Sequence, residues 1–256
     1  MTIQLKSNAD IEKLRAAGQV VREVLNRLGE LVAPGVTTEE LDAEAKRLCR
    51  SHGAKCLFKG VPGPKGPFPG NICSSINDEV VHGIPSATRV IREGDIVSVD
   101  FGVRLAGWCG DAAETYCCGE VAPSWAHLVA VTRQSLDLAV SMARPGMKWS
   151  QVAGALQEYV EGEGLSVVRE FVGHGIGREM HEDPKVPNYA GPGIGRMDFE
   201  LQEGMVLAVE PMVNLGSEAV RVMPDGWTVC TQDGEPSAHF EHMLALTSDG
   251  VDVLTQ

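Results

Sequence analysis

The sequence predicts an α+β fold with internal pseudo-twofold symmetry. Two observations carry this. Leu31-Val-Ala-Pro34-Gly35 is echoed by Met142-Ala-Arg-Pro145-Gly146, 111 residues on, and Glu93-Gly94-Asp-Ile-Val-Ser-Val99-Asp100 by Glu203-Gly204-Met-Val-Leu-Ala-Val209-Glu210, 110 residues on. Each half also reads as two helical patterns followed by short β-rich runs.

The elements follow in order. Ile11, Leu14, Val20, Val21, Val24, Leu25, Leu28 and Leu31 recur at helical spacing and predict a helix over 11–31. Thr37 with Glu40 forms a capping box for a second helix, which Gly53 stops. The second half predicts helices over 124–143 and 150–162. β-runs are expected at 96–103, 115–118, 167–171, 205–209 and 239–245. The Pro- and Gly-rich stretch from Lys59 to Gly70 reads as an exposed, extended loop. No composition break divides the chain, so 1–256 is expected to be one domain with halves at about 10–120 and 121–256.

Composition narrows the function. The 256 residues are 43 % hydrophobic and 22 % charged, ordinary for a globular chain that needs no disulfide or structural zinc to fold. Basic residues number 22 against 35 acidic, a net charge of −13, which argues against nucleic acid or an anionic membrane as main partner. No apolar run of about 18 residues is present to span a bilayer. Seven cysteines, none in a Cys-x-x-Cys pair, and a polar N-terminus without a secretory signal point to free thiols in a reducing cytoplasm.

The chemistry-bearing residues are carboxylates and histidines. If residues 100–111 form a hairpin centred between Leu105 and Ala106, Asp100 and Asp111 face each other across it. Like charges at that range destabilise one another unless one takes a proton or a cation intervenes. A metal answers this, and so do two solvated turn aspartates. His174 lies among Gly173, Gly175 and Gly177, a pattern for a loop that approaches something closely, with His181 seven residues on. Imidazole is the usual nitrogen ligand of divalent metals. Glu210 ends an apolar run before Pro211, and Glu241 sits inside the β-run 239–245, where an unpaired acid is costly. Four carboxylates and one or two histidines exceed the needs of one zinc site and suit two metals with a shared water. Spacing alone does not choose among phosphatase, nuclease and aminopeptidase.

Longer motifs discriminate. NDEVVHGIP (77–85), GDIVSVDFG (94–102), GWCGDAA (107–113), FVGHGIGREMHEDP (171–184), GMVLAVEPMV (204–213) and SAHFEHM (237–243) cover most of the chain. With these the sequence closely resembles the type I methionine aminopeptidases, metallopeptidases of the pita-bread fold. The resemblance implies helix pairs backing a curved antiparallel sheet. It implies two divalent metals (cobalt, manganese, iron or zinc) held by Asp100, Asp111, His174, Glu210 and Glu241, with Asp111 and Glu241 bridging. It implies Glu210 as proton shuttle, and His181 and His82 at the carbonyl oxygen and amide nitrogen of the scissile bond. It implies a methionine pocket of Phe68, Cys73 and Trp227. The implied substrate is the N-terminal Met of nascent polypeptides, met by a monomer. Lys59 and Lys65, on the Pro/Gly loop of an acidic protein, are read as a transient contact with the ribosome. Prolidase-like enzymes of the same fold, a non-catalytic binding relative and a two-metal phosphoesterase are the alternatives.

The departures from the family pattern are specific. Met180 replaces an aromatic before the second histidine and is expected on the pocket rim. His239 replaces a Gln. As part of a strand it would face the same side as Glu241 and support the metal ligands, or else be a solvated histidine. Gly102 and Ala112 stand where Thr is common nearby, removing hydroxyls that orient carboxylates.

Overall fold

The computed structural model describes residues 2–191 and 194–256 and, of Arg196, only the backbone. Helix α1 (Asn8–Leu31) starts one turn before the expected boundary because the Ser7 hydroxyl accepts the Asp10 amide. Helix α2 (Thr38–Ser51) carries the expected capping box at Thr37, and Gly53 lies just past its end at φ 68°. Helices α3 (Pro123–Met142) and α4 (Trp149–Gly162) begin one residue before the predicted starts, α3 with Pro at its first position, where a missing N–H costs nothing.

The repeat is real in the backbone. Gly35 and Gly146 leave the helices at φ 95° and 88°, and Gly94 and Gly204 enter the strands at φ 87° and 86°. Isolated bridges join Thr37 to Val90 and Lys148 to Glu200, at the same offset. Each half has its own core. Leu25, Leu28 and Leu41 pack on Val97, Val99 and Phe101; Leu128, Trp149 and Leu156 pack on Leu207, Val209 and Leu244.

Strands Ile96–Leu105 and Trp108–Cys117 form a long hairpin, so the run expected at 115–118 is the end of a longer strand. Its turn is Ala106–Gly107, both at positive φ, one residue later than expected. Asp100 therefore pairs with Ala113 and Asp111 with Gly102, so the two acids are diagonal rather than directly opposed. They still share a face, because alternate residues Val97, Val99, Phe101 and Val103 point into the core beneath α1 and α2.

Among the described residues, all ladders between strands are antiparallel and group into four sheets. Strand Ser166–Val167 stops short of the expected 171 where the exposed Arg169 and Glu170 begin. The run expected at 239–245 breaks in two. Ser237–His239 pairs with Met212–Asn214, while His242–Thr247 pairs with Val206–Val209. The break mirrors Pro211 on the partner side, which has no N–H to continue a ladder; its carbonyl accepts the Phe240 amide at 3.3 Å.

Candidate metal centre

The hairpin, the end of Val206–Val209 and the break after Ser237–His239 converge on one cavity. Asp100 and Asp111 reach it from the hairpin. Glu210 follows Val209 directly, and its carbonyl accepts the Asn188 side-chain amide at 3.0 Å. Glu241 sits in the break, not inside a strand, and its amide donates to the Ala113 carbonyl at 2.9 Å. That bond sets Glu241 beside the strand that bears Asp111.

His174 comes from a short strand, Gly173–Gly175, rather than a loop. The flanking glycine is needed for sheet packing: a Cβ on Gly173 would lie 2.2 Å from the Ala208 carbonyl oxygen. His174 Nδ1 donates to the Gly175 carbonyl at 3.0 Å, which leaves Nε2 as the free electron pair. Nε2 lies 3.8 Å from Asp111 Oδ2 and 3.6 Å from Glu210 Oε1.

The residues fit a bound cation. Ligand atoms of Asp111, His174 and Glu241 all lie within 4.8 Å of one another. Asp100 Oδ1, Asp111 Oδ1 and Glu241 Oε1 are buried with no hydrogen-bond partner, an arrangement that costs free energy unless something positive fills the space. Burial pushes the Asp100 carboxyl up to about 7. Burial and then the neighbouring acids raise Asp111, Glu210 and Glu241 well above the carboxylate range. Burial, then His181, lowers His174 to about 4, so its imidazole is neutral and able to ligate.

The opposite end of the cavity, about 240 Å³ in volume, is apolar. Phe68, Cys73, Met180 and Trp227 all line it. The Lys59–Gly70 loop is mostly exposed, as expected, but it turns Phe68 inward. Phe68 is 3 % exposed, and Trp227 Nε1 donates to the Gly66 carbonyl at 3.1 Å. Trp227 is accordingly half-buried, its ring 5.1 Å from that of Phe68 in an edge-on contact. Phe58 and Val61 were not anticipated and line the same wall. Their signal was weak, since Phe58 precedes and Val61 lies within a Pro/Gly stretch that reads as loop. Gly102 makes room for the wall: a Cβ there would lie 2.8 Å from Phe58 Cε1 and 3.0 Å from Met180 Cε.

His82 and His181 stand between the two ends. His82 holds φ 60°, a conformation uncommon outside glycine that clusters at functional sites. Its ring meets Phe171 and Trp227 edge-on at 5.5 and 6.3 Å. The His181 ring is 4.4 Å from that of His174. Burial lowers His82 to about 4 and lowers His181 as well. His239 is 2 % exposed, which removes the solvated alternative. A wider cleft of about 460 Å³, bounded by Phe171, Glu170 and Lys185, opens from the histidines to solvent.

The chain's similarities agree with this geometry. Residues 12–248 match the model of metallopeptidase family M24. The chain is 47 % identical to a methionine aminopeptidase of Clostridium acetobutylicum, over 99 % of this chain and 98 % of that protein. It is 45 % identical to methionine aminopeptidase 1 of Bacillus subtilis, over 98 % of each. The crystal structure of a methionine aminopeptidase from Thermotoga maritima superposes with a TM-score of 0.93, at 42 % identity and full coverage of both chains. A Pyrococcus horikoshii prolidase superposes at 0.75 over 98 % of this chain and 63 % of that one; at 21 % identity it shares the fold alone.

Proposed function

The chain belongs to metallopeptidase family M24, and on that premise we propose how its cavity removes an N-terminal methionine from peptides and nascent proteins. The observation that carries this reading is one cavity with unpartnered carboxylates at one end and an apolar wall at the other. Asp100, Asp111, His174, Glu210 and Glu241 would hold two divalent cations. When bound, such cations polarise a carbonyl and acidify water into a nucleophile near neutral pH.

The chain's own residues do the rest. Phe58, Phe68, Cys73, Met180 and Trp227 receive an unbranched thioether, which aromatic edges and soft sulfur neighbours favour. Glu210 takes a proton from the attacking water and returns it to the departing amine. Neutral His181 donates a hydrogen bond to the carbonyl oxygen as negative charge builds there. His82, held rigid at its unusual φ, meets the leaving amide nitrogen. The wider cleft takes the rest of the peptide.

The nature of the metal follows availability among manganese, iron, cobalt and zinc, since a carboxylate-rich site with one imidazole suits them all. Seven free cysteines support a cytoplasmic setting. Lys59 and Lys65, on the loop that walls the pocket, would serve transient ribosome docking by a monomer. The deciding experiment is hydrolysis of Met-Ala-Ser and Pro-Ala-Ser after chelation and return of Mn²⁺, Fe²⁺ or Co²⁺. Metal-dependent release of Met but not Pro is expected. No release with any metal from a folded protein overturns the reading.

A further inference from the structure

His239 is buried, yet its Nε2 has no hydrogen-bond partner. Leaving a buried polar atom unpaired costs about 1–3 kcal/mol, so the nitrogen is expected to have a task. It lies 3.7 Å from Glu210 Oε2, while the other Glu210 oxygen, Oε1, lies 3.6 Å from His174 Nε2. Two imidazoles thus bracket one carboxylate, one at each oxygen.

The backbones behind this pair are fixed. The His239 amide donates to Thr115 Oγ1 at 2.9 Å, and the same hydroxyl donates back to the His239 carbonyl at 2.8 Å. Ser98 Oγ, 2.8 Å away, supplies a further hydrogen bond to Thr115. His239 is also in register with Met212, two residues beyond Glu210. The Glu210 carbonyl is held by Asn188. Both main chains are thus tethered, which leaves side-chain rotation as the simplest way to close the gap.

We propose that His239 is a positioning residue whose Nε2–H donates to Glu210 Oε2 when the cations are held, presenting Oε1 to the centre. The carboxylate enters with one oxygen already occupied, which limits it to one oriented donor. His239 need not touch substrate for this. The inference rests on the metal-centre reading above.

The test is Mn²⁺ binding to chelator-treated protein, by calorimetry, for wild type, His239→Leu and His239→Gln. Gln keeps a donor; Leu keeps bulk without one. Outer-shell partners of metal ligands typically contribute 10- to 100-fold in affinity. His239→Leu is expected to weaken Mn²⁺ by that factor, with Gln within about threefold of wild type. The metal-free melting temperature of His239→Leu should equal or exceed that of wild type, because an unpartnered buried group is gone. Nitrogen-15 spectra of the Zn²⁺-loaded protein should show His239 protonated at Nε2. The proposal falls if His239→Leu binds Mn²⁺ like wild type, or if metal-free stability drops and Gln rescues nothing. If wild type itself binds no Mn²⁺, the reading of the centre falls, and this inference with it.

Discussion

In the first half of the chain, Asp100 lies in strand Ile96–Leu105, and its hairpin partner Trp108–Cys117 carries Asp111. In the second half, Glu210 follows strand Val206–Val209, and its antiparallel neighbour His242–Thr247 is preceded by Glu241. Each half so far presents one carboxylate pair. They part at the third strand. Cys73 stands opposite Asp100, whereas His174 stands opposite Ala208. One half closes its side of the cavity with a thiol wall, the other with a nitrogen donor. The third strands therefore do not share a register, since Ala208 is the counterpart of Ser98 rather than of Asp100 at the 110-residue offset, and a repeated backbone leaves the chemistry at each place to be chosen separately. The halves then exchange parts: the first lends His82 to the reacting end, and the second lends Met180 and Trp227 to the apolar end.

If the two carboxylate pairs are equivalent in task, neutralising one member of each should cost alike. Asp111→Asn and Glu241→Gln should each lower kcat/KM for Met-Ala-Ser by about three orders of magnitude, some 4 kcal/mol, with metal content falling in parallel by elemental analysis. A large effect in one alone would mean the halves are not equivalent at the centre. The cores give the control. Leu28→Ala beneath α1 and Leu156→Ala beneath α4 remove equally buried side chains, and each should cost about 2–5 kcal/mol in urea unfolding. Neither should change Mn²⁺ affinity at temperatures where the variants are folded.

The third-strand difference calls for a split outcome. His174→Ala should abolish tight metal binding, while Cys73→Ala should leave it intact. At the apolar end, Trp227→Ala should lower kcat/KM about 10- to 200-fold, as loss of pocket contacts does, without altering metal content. Loss of metal in Trp227→Ala would erase the distinction between the two ends.

The smallest effect is a proton count. Asp100, raised to about 7, carries its proton at pH 6, and a cation must displace it. The sign follows: apparent metal affinity falls as pH drops through about 7, because the free site then binds protons that the loaded site cannot hold. Calorimetry at pH 6 in buffers of different ionisation enthalpy should show about one fewer proton released by Asp100→Asn than by wild type. An unchanged count would place that proton elsewhere in the cluster.

Much of this was readable along the chain. The helices announce themselves through Leu14, Leu25 and Leu28 at helical spacing and through the Thr37–Glu40 capping box. The repeat announces itself through Gly35 and Gly146, whose positive φ only glycine adopts cheaply. Asp100, Asp111, His174, Glu210 and Glu241 were legible as residues because acids and a glycine-flanked histidine are out of place in β-rich runs. Their register was not. Ala106–Gly107 became the turn because a two-residue loop of matching twist needs positive φ at both positions, and an Ala there is not a signal anyone reads. Nor did periodicity show the break at Phe240–Glu241, which arises because Pro211, on a different segment, cannot donate to a ladder. Phe58 and Val61 were hidden in the same way, as apolar residues beside and within a loop that only folding turns into a wall.

Local spacing and residue type thus determined the helices, the duplication and the candidate ligating groups, since these depend on interactions within a few residues. The diagonal placement of the two aspartates, the pocket built by a Pro/Gly loop against Trp227 and the approach of His239 to Glu210 were decided by tertiary structure. Each brings together segments far apart in sequence, and a contact of that kind leaves no period in the chain.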